Sequence, residues 1–249
     1  MARINKKGQI IGSIGPVSFR TYNGKDYMQG KPGKDKMKQT VATKKSASDF
    51  GRGSRLAKAI REALFPIVQN HSDSNFYRRF TTKINTATQE GNQQSIGSRT
   101  LMEGNLALLN NTDCNLASPF VNYCRLTPTL TLSDARQLTI ALPEFSVLDY
   151  IAQKEKATHA ELVFLVTATP AEIDPDNPIE PKAELFRVAF PLKASLISAQ
   201  EWTSRVLPGA QLVVVASALF YYRNNNLAGM VGLNGKEFHP CEVTAVLKG

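Results

Sequence analysis

Cysteine, histidine and tryptophan are scarce in this chain of 249 residues, at three, three and one. Cys114, Cys124 and Cys241 are odd in number and show no C-x-x-C spacing, which argues against a disulfide framework and against a zinc site. Buried free thiols acting as small hydrophobes are the expectation, and a reducing compartment goes with them. His71, His159 and His239 stand far apart, without His-x-x-x-His or Cys–His spacing, so no metal centre or nucleophile–base pair is written in the sequence. His239-Pro240-Cys241 does set a thiol near an imidazole, but its proline suggests a turn. Also missing is any apolar run of the roughly 18 residues needed to cross a bilayer. The opening Met1–Lys7 is basic, with no apolar stretch of about 7–15 residues behind it, so it does not read as a secretory signal. Together these absences point to a cytoplasmic protein, or one inside an assembled particle, with no membrane partner. They also point to a protein that is not an enzyme and holds no cofactor or metal.

Acidic residues are few at the start. The first hundred residues hold 19 Lys and Arg against 6 Asp and Glu, whereas the remainder holds 11 against 15, within an overall net charge of +9. Such asymmetry suits a face or arm that meets an acidic partner, nucleic acid or protein; ordinary solvation is the plainer alternative. With 42% hydrophobic and 20% charged residues the composition is that of a globular protein.

Glycines at 8, 12, 15, 24 and 30 punctuate short strand-like runs at Gln9–Ile14 and Val17–Tyr22. Asn23-Gly24 follows at once, and this dipeptide favours the positive φ of a tight hairpin turn. A hairpin returning through Lys25–Gln29 is expected, and a two-stranded hairpin alone is marginal in water, so it must pack on something. Residues 31–45 carry Lys31, Lys34, Lys36, Lys38, Lys44 and Lys45 against Asp35, with almost no apolar anchor, and read as an extended arm.

Ser46 and Ser48 are N-cap candidates for a helix. In that helix Leu56, Ile60, Ala63, Leu64 and Ile67 share one face. Arg55, Lys58 and Arg61 lie opposite, and Arg52 sits near the apolar edge. Pro66 should end or kink it. A second helix with Phe76, Phe80 and Ile84 at i, i+4 spacing follows. Residues 85–118 are polar and read as a connection. From 119 onward, strands are expected at Phe120–Leu126, Thr129–Leu132, Leu138–Leu142, Leu162–Thr167, Leu185–Phe190, Leu212–Tyr222, Met230–Leu233 and Glu242–Leu247, with a short helix in Val147–Glu155. The whole reads as an α+β protein in three stretches. A glycine-rich hairpin and basic arm (1–45) comes first, then a helical segment and connection (46–118). An antiparallel β-sandwich-like domain (119–249) closes the chain.

Near misses to known sites fail on geometry. Asp174-Pro175-Asp176-Asn177 lacks the glycine and terminal glutamate of a calcium loop. Gly24 to Lys31 has five residues where a phosphate-binding loop has four, and Pro32 replaces its Ser or Thr. What stands above background is the cationic set Lys31, Lys34, Lys36, Lys38, Lys44, Lys45, Arg52, Arg55 and Lys58. Lysines at such spacing can neutralise phosphates, with Phe19, Tyr22 and Tyr27 near enough to stack on bases, or they can bind neighbouring subunits. Two functions follow. One is a non-enzymatic subunit of a larger assembly (a phage particle, tail, tube or filament), its arm reaching other copies or other subunits. The other is a nucleic-acid-binding protein.

The run Gly12-Ser13-Ile14-Gly15-Pro16-Val17, then Arg20, Gly24 and Lys31-Pro32-Gly33-Lys34 before Gln39-Thr40, resembles the opening of an uncharacterised group of bacterial proteins. In that group a glycine-rich N-terminus leads into a helix containing a phenylalanine, as Ser48-Asp49-Phe50 does here, and a sandwich-like half follows. The resemblance covers roughly the first 65 residues. It implies architecture only, with no activity to carry over.

Overall fold

A computed structural model describes residues 2–22, 24–31, 39–173, 183–209, 211–225 and 229–249. Lys34, Lys36, Lys38, Asn23 and the 174–177 segment lie outside the described residues. Residues 1–44 and 45–249 form two compact units. The first contains strands β1 (Arg3–Ile4), β2 (Ile10–Ile14), β3 (Val17–Tyr22) and β4 (Lys25–Gly30), joined in that order as an antiparallel meander. The expected hairpin is β3–β4, and the meander extends it by two strands. Its turns use glycine where φ is positive: Gly15 at 54° and Gly24 at 75°.

Next come α1 (Val41–Ala63), α2 (Phe65–Val68) and α3 (Phe76–Gln89), then β5 (Thr112–Asp113), β6 (Thr129–Leu132), β7 (Leu138–Leu142), β8 (Phe145–Ser146) and α4 (Val147–Tyr150). The chain ends through β9 (His159–Pro170), β10 (Ala183–Pro191), β11 (Leu196–Ile197), β12 (Gln200–Thr203), β13 (Gln211–Asn225), β14 (Gly229–Gly232) and β15 (Cys241–Lys248). All strand pairs are antiparallel, and the fold is mixed α+β. The main sheet runs β10-β9-β13-β15-β5, with β14 on β13; smaller sheets are β12-β7-β6 and β11-β8.

Two starting points differ from the sequence expectation. The first helix begins at Val41 rather than near Ser46, so Lys44 and Lys45 are helical and not part of an extended arm. Thr40 supplies the cap: its hydroxyl accepts the Thr43 N–H at 3.2 Å. Phe120–Leu126 is not a strand. It opens with a 3₁₀ turn at Phe120–Asn122, and Cys124 makes an isolated bridge to Ile151. Pro66 acts as expected, separating α1 from the short α2.

The central strands of the main sheet, β9, β13 and β15, are covered on both faces. On β9, Leu162, Phe164 and Val166 join the cluster with β7, β8 and β10, while Val163 and Leu165 join the helices. Along β13, Val213, Val215, Leu219 and Tyr221 take the first side and Leu212, Val214, Ala216 and Ala218 the second. Burial on both faces is why these strands read as unbroken apolar runs rather than alternating ones. The helical layer is the stripe of Leu56, Ile60, Leu64 and Ile67 with Phe76, Phe80 and Ile84, all buried. Leu101, Leu109 and Cys114 belong to the same cluster. The polar stretch after α3 is therefore packed on the core, and residues 45–249 share one unit.

Candidate interaction interface

Residues facing each other across an antiparallel ladder project to the same side. In the N-terminal sheet, Ile4 faces Ile10, Ile14 faces Val17, Gly12 faces Phe19, and Phe19 faces Met28. This gives one apolar side. The opposite side carries Arg3 facing Ile11, Ser13 facing Ser18, Arg20 facing Tyr27, and Tyr22 facing Lys25. No described residue of 2–44 is buried. Ile4, Ile10, Ile14 and Met28 keep between 43% and 73% of their surface exposed. The charge that these strands place on the apolar side is Asp26, held by the Thr21 hydroxyl at 2.6 Å and the Gln9 amide at 3.1 Å.

The basic residues singled out in the sequence separate into two kinds. Lys31, Lys44, Lys45, Arg55 and Lys58 are exposed. Lys58 reaches Glu62 one turn on at 3.7 Å, a surface pair of small energetic consequence. Arg52 is engaged: its guanidinium donates to Asp49 at 2.8 Å and to the Gly97 carbonyl. Asp49 is buried and also accepts the Gly97 and Arg99 N–H groups, at 2.8 and 3.3 Å. That network ties the start of α1 to a distant loop. Arg61, opposite the apolar stripe, is half-buried rather than exposed, with its guanidinium 4.2 Å from the Tyr77 ring centre.

Two clusters that the spacing of residues hid are brought together by the fold. His71 and His239 meet edge to face at 5.1 Å. His239 has both ring nitrogens engaged, Nε2 with the Ile67 carbonyl at 2.8 Å and Nδ1 with the Asn234 amide at 3.0 Å. A carbonyl only accepts, so Nε2 carries the proton and the ring is neutral. Burial, with the nearby His71, pulls its pKa down to about 4 although the Ile67 bond opposes this. Beside them is a cavity of about 220 Å³, lined in part by His71, Glu161, Arg187 and Tyr222. Both oxygens of Glu161 are taken, by the Tyr222 hydroxyl at 2.9 Å and by Arg187 at 3.4 Å. Burial and that carboxylate raise the Tyr222 hydroxyl to about 12. Only the His71 Nδ1 is buried without a partner among these groups. Apart from that nitrogen, these groups are held in one hydrogen-bonded polar cluster.

The second cluster is Cys114 and Cys241, whose sulfurs lie 3.6 Å apart. All three cysteines are free and buried, and burial pushes the Cys241 thiol upward and the Cys124 thiol to about 12. Among the described residues no group of three or more His, Cys, Asp or Glu is placed to hold a metal, and no helix is long and apolar enough to cross a membrane. Compared with protein-family models, curated proteins and solved structures, the chain matches none. Function rests on its own residues.

Proposed function

We propose that this chain is a non-enzymatic subunit of a larger assembly, a particle, tube or filament, whose N-terminal sheet docks on neighbouring copies. The observation that carries the reading is a four-stranded sheet with one apolar side and no buried residue. Exposing contiguous apolar surface is unfavourable, and such patches mark interaction sites. Packing the apolar sides of two copies together leaves Arg3, Arg20 and Lys25 of both pointing outward, with the Asp26 of each held by its own Thr21 and Gln9. Four strands at about 4.8 Å spacing and about five residues long give a side of roughly 350 Å². That is under half of the roughly 800 Å² per partner in a standard interface. The contact therefore acts as one of several, or joins with pairing along the open edge of β4.

Deleting residues 1–38 tests the reading while keeping the Thr40 cap of α1. Two buried clusters in 45–249 should keep the truncated chain folded and cooperatively melting, but it should no longer assemble. A truncated chain with the full-length protein's oligomeric mass contradicts the proposal. One that does not fold would show that the sheet belongs to the core.

A further inference from the structure

The outward side of the N-terminal sheet holds more than solvating charge. Arg20 faces Tyr27 and Tyr22 faces Lys25 on the adjoining strands β3 and β4, so two rings and two cations occupy one square of the ladder. Tyr22 is 62% exposed and Tyr27 43%. Arg20 sits 6.0 Å from the centre of the Tyr27 ring, and Arg20, Tyr22 and Tyr27 line a shallow groove of about 460 Å³. Arg3 extends the same side beyond Ile11, and Lys31 is exposed just past the end of β4. The carboxylate of these strands, Asp26, belongs to the opposite side by its pairing with Thr21. The groove side is therefore cationic without a compensating acid on its strands.

From this placement we propose that Arg20, Tyr22, Lys25 and Tyr27 form a platform for single-stranded nucleic acid. Bases have flat π faces that stack on exposed aromatic rings irrespective of sequence, and a positive groove tracks the phosphates between them. Tyrosine hydroxyls and cations on an open sheet face supply both elements. Duplex DNA, with its bases stacked inside, offers only phosphates to such a face. The site uses none of Lys34, Lys36 and Lys38, and it does not depend on the assembly reading. Packing the apolar side against a neighbour leaves this side open.

Fluorescence anisotropy of the full-length protein with a labelled 15-nucleotide oligo(dT), and with a duplex of equal length, tests the proposal. The single strand should bind at about 50 mM salt and more tightly than the duplex, with affinity falling steeply as salt rises. Tyr22→Ala and Tyr27→Ala should each weaken binding on the order of tenfold. Tyr22→Phe and Tyr27→Phe should hold it within about twofold, because the ring and not the hydroxyl stacks. Arg20→Gln and Lys25→Gln should each reduce the slope of log affinity against log salt by about 0.7. These side chains bury no core, and the far-ultraviolet spectrum of each variant checks that the sheet survives. Equal affinity for the duplex, undiminished binding by the Tyr22→Ala/Tyr27→Ala double variant, or no binding at low salt would each overturn the platform.

Discussion

The two units spend their apolar residues in opposite ways. In residues 45–249, the central strands of the main sheet are closed over on both sides, and even polar groups such as Asp49 and His239 are buried with partners. In residues 2–44, a sheet of similar strand chemistry leaves Ile4, Ile14 and Met28 more than half exposed. The difference lies in hydrophobic burial, the dominant favourable contribution to folding. One unit supplies its own stability. The other leaves its apolar surface exposed.

Substitutions can break that contrast, and the largest effect is expected at Leu64, which is fully buried under the sheet. Leu64→Ala should cost about 2–5 kcal/mol in chemical denaturation, while Ile14→Ser, at 59% exposure, should leave the main transition within about 0.5 kcal/mol. Equal losses at the two sites would erase the distinction between the units.

A pH profile sharpens the picture of the large unit. Burial, aided by the facing Asp113, raises the Glu242 carboxyl to about 7 from 4.5. The folded state then holds its proton more tightly, so this group's stabilising contribution is complete below about pH 4.5 and is lost as pH rises to about 7. His239 has the opposite sign. Its pKa is lowered to about 4 from 6.5, so its contribution is complete above about 6.5 and is lost as pH falls to about 4. The slopes oppose each other between about 4.5 and 6.5. Glu242→Gln should raise stability at pH 8 by up to about 3 kcal/mol and leave a melting temperature that climbs with pH from 4 to 6.5. A variant with the parent's profile would contradict this.

A smaller effect is expected where α3 meets the loop after it. A Cβ at Gly104 would lie 2.1 Å from the Ala87 carbonyl oxygen. Gly104→Ala should cost about 1–3 kcal/mol by denaturation, and no loss would mean that the loop is less closely packed than described.

Much of the large unit was legible because its signals are local. The stripe Leu56, Ile60, Leu64 and the spacing of Phe76, Phe80 and Ile84 state helical faces directly, and Leu162–Val166 and Leu212–Tyr222 state strands. Their double covering was hidden, because an unbroken apolar run does not say what lies on each side of it. The start of α1 was missed because Thr40 and Ser46 are equally good caps and the lysines between them lack an apolar face. Asp49 gave no signal, since its partners Gly97 and Arg99 are far along the chain; the meeting of His71 with His239 was hidden for the same reason. In the small unit the glycines and Asn23-Gly24 announced a hairpin. Its two faces emerge only from register, which pairs Phe19 with Met28 and Arg20 with Tyr27 and which the sequence leaves open.

The most direct measurement is the solution mass of the full-length protein and of its Ile14→Asp/Met28→Asp variant, by light scattering across a concentration series. Docking through the apolar side requires a mass of several 27.4 kDa chains for the parent and a return toward one chain for the variant, with the melting transition of the large unit unchanged. A parent that stays at one chain's mass, or a variant that assembles as the parent does, would contradict it.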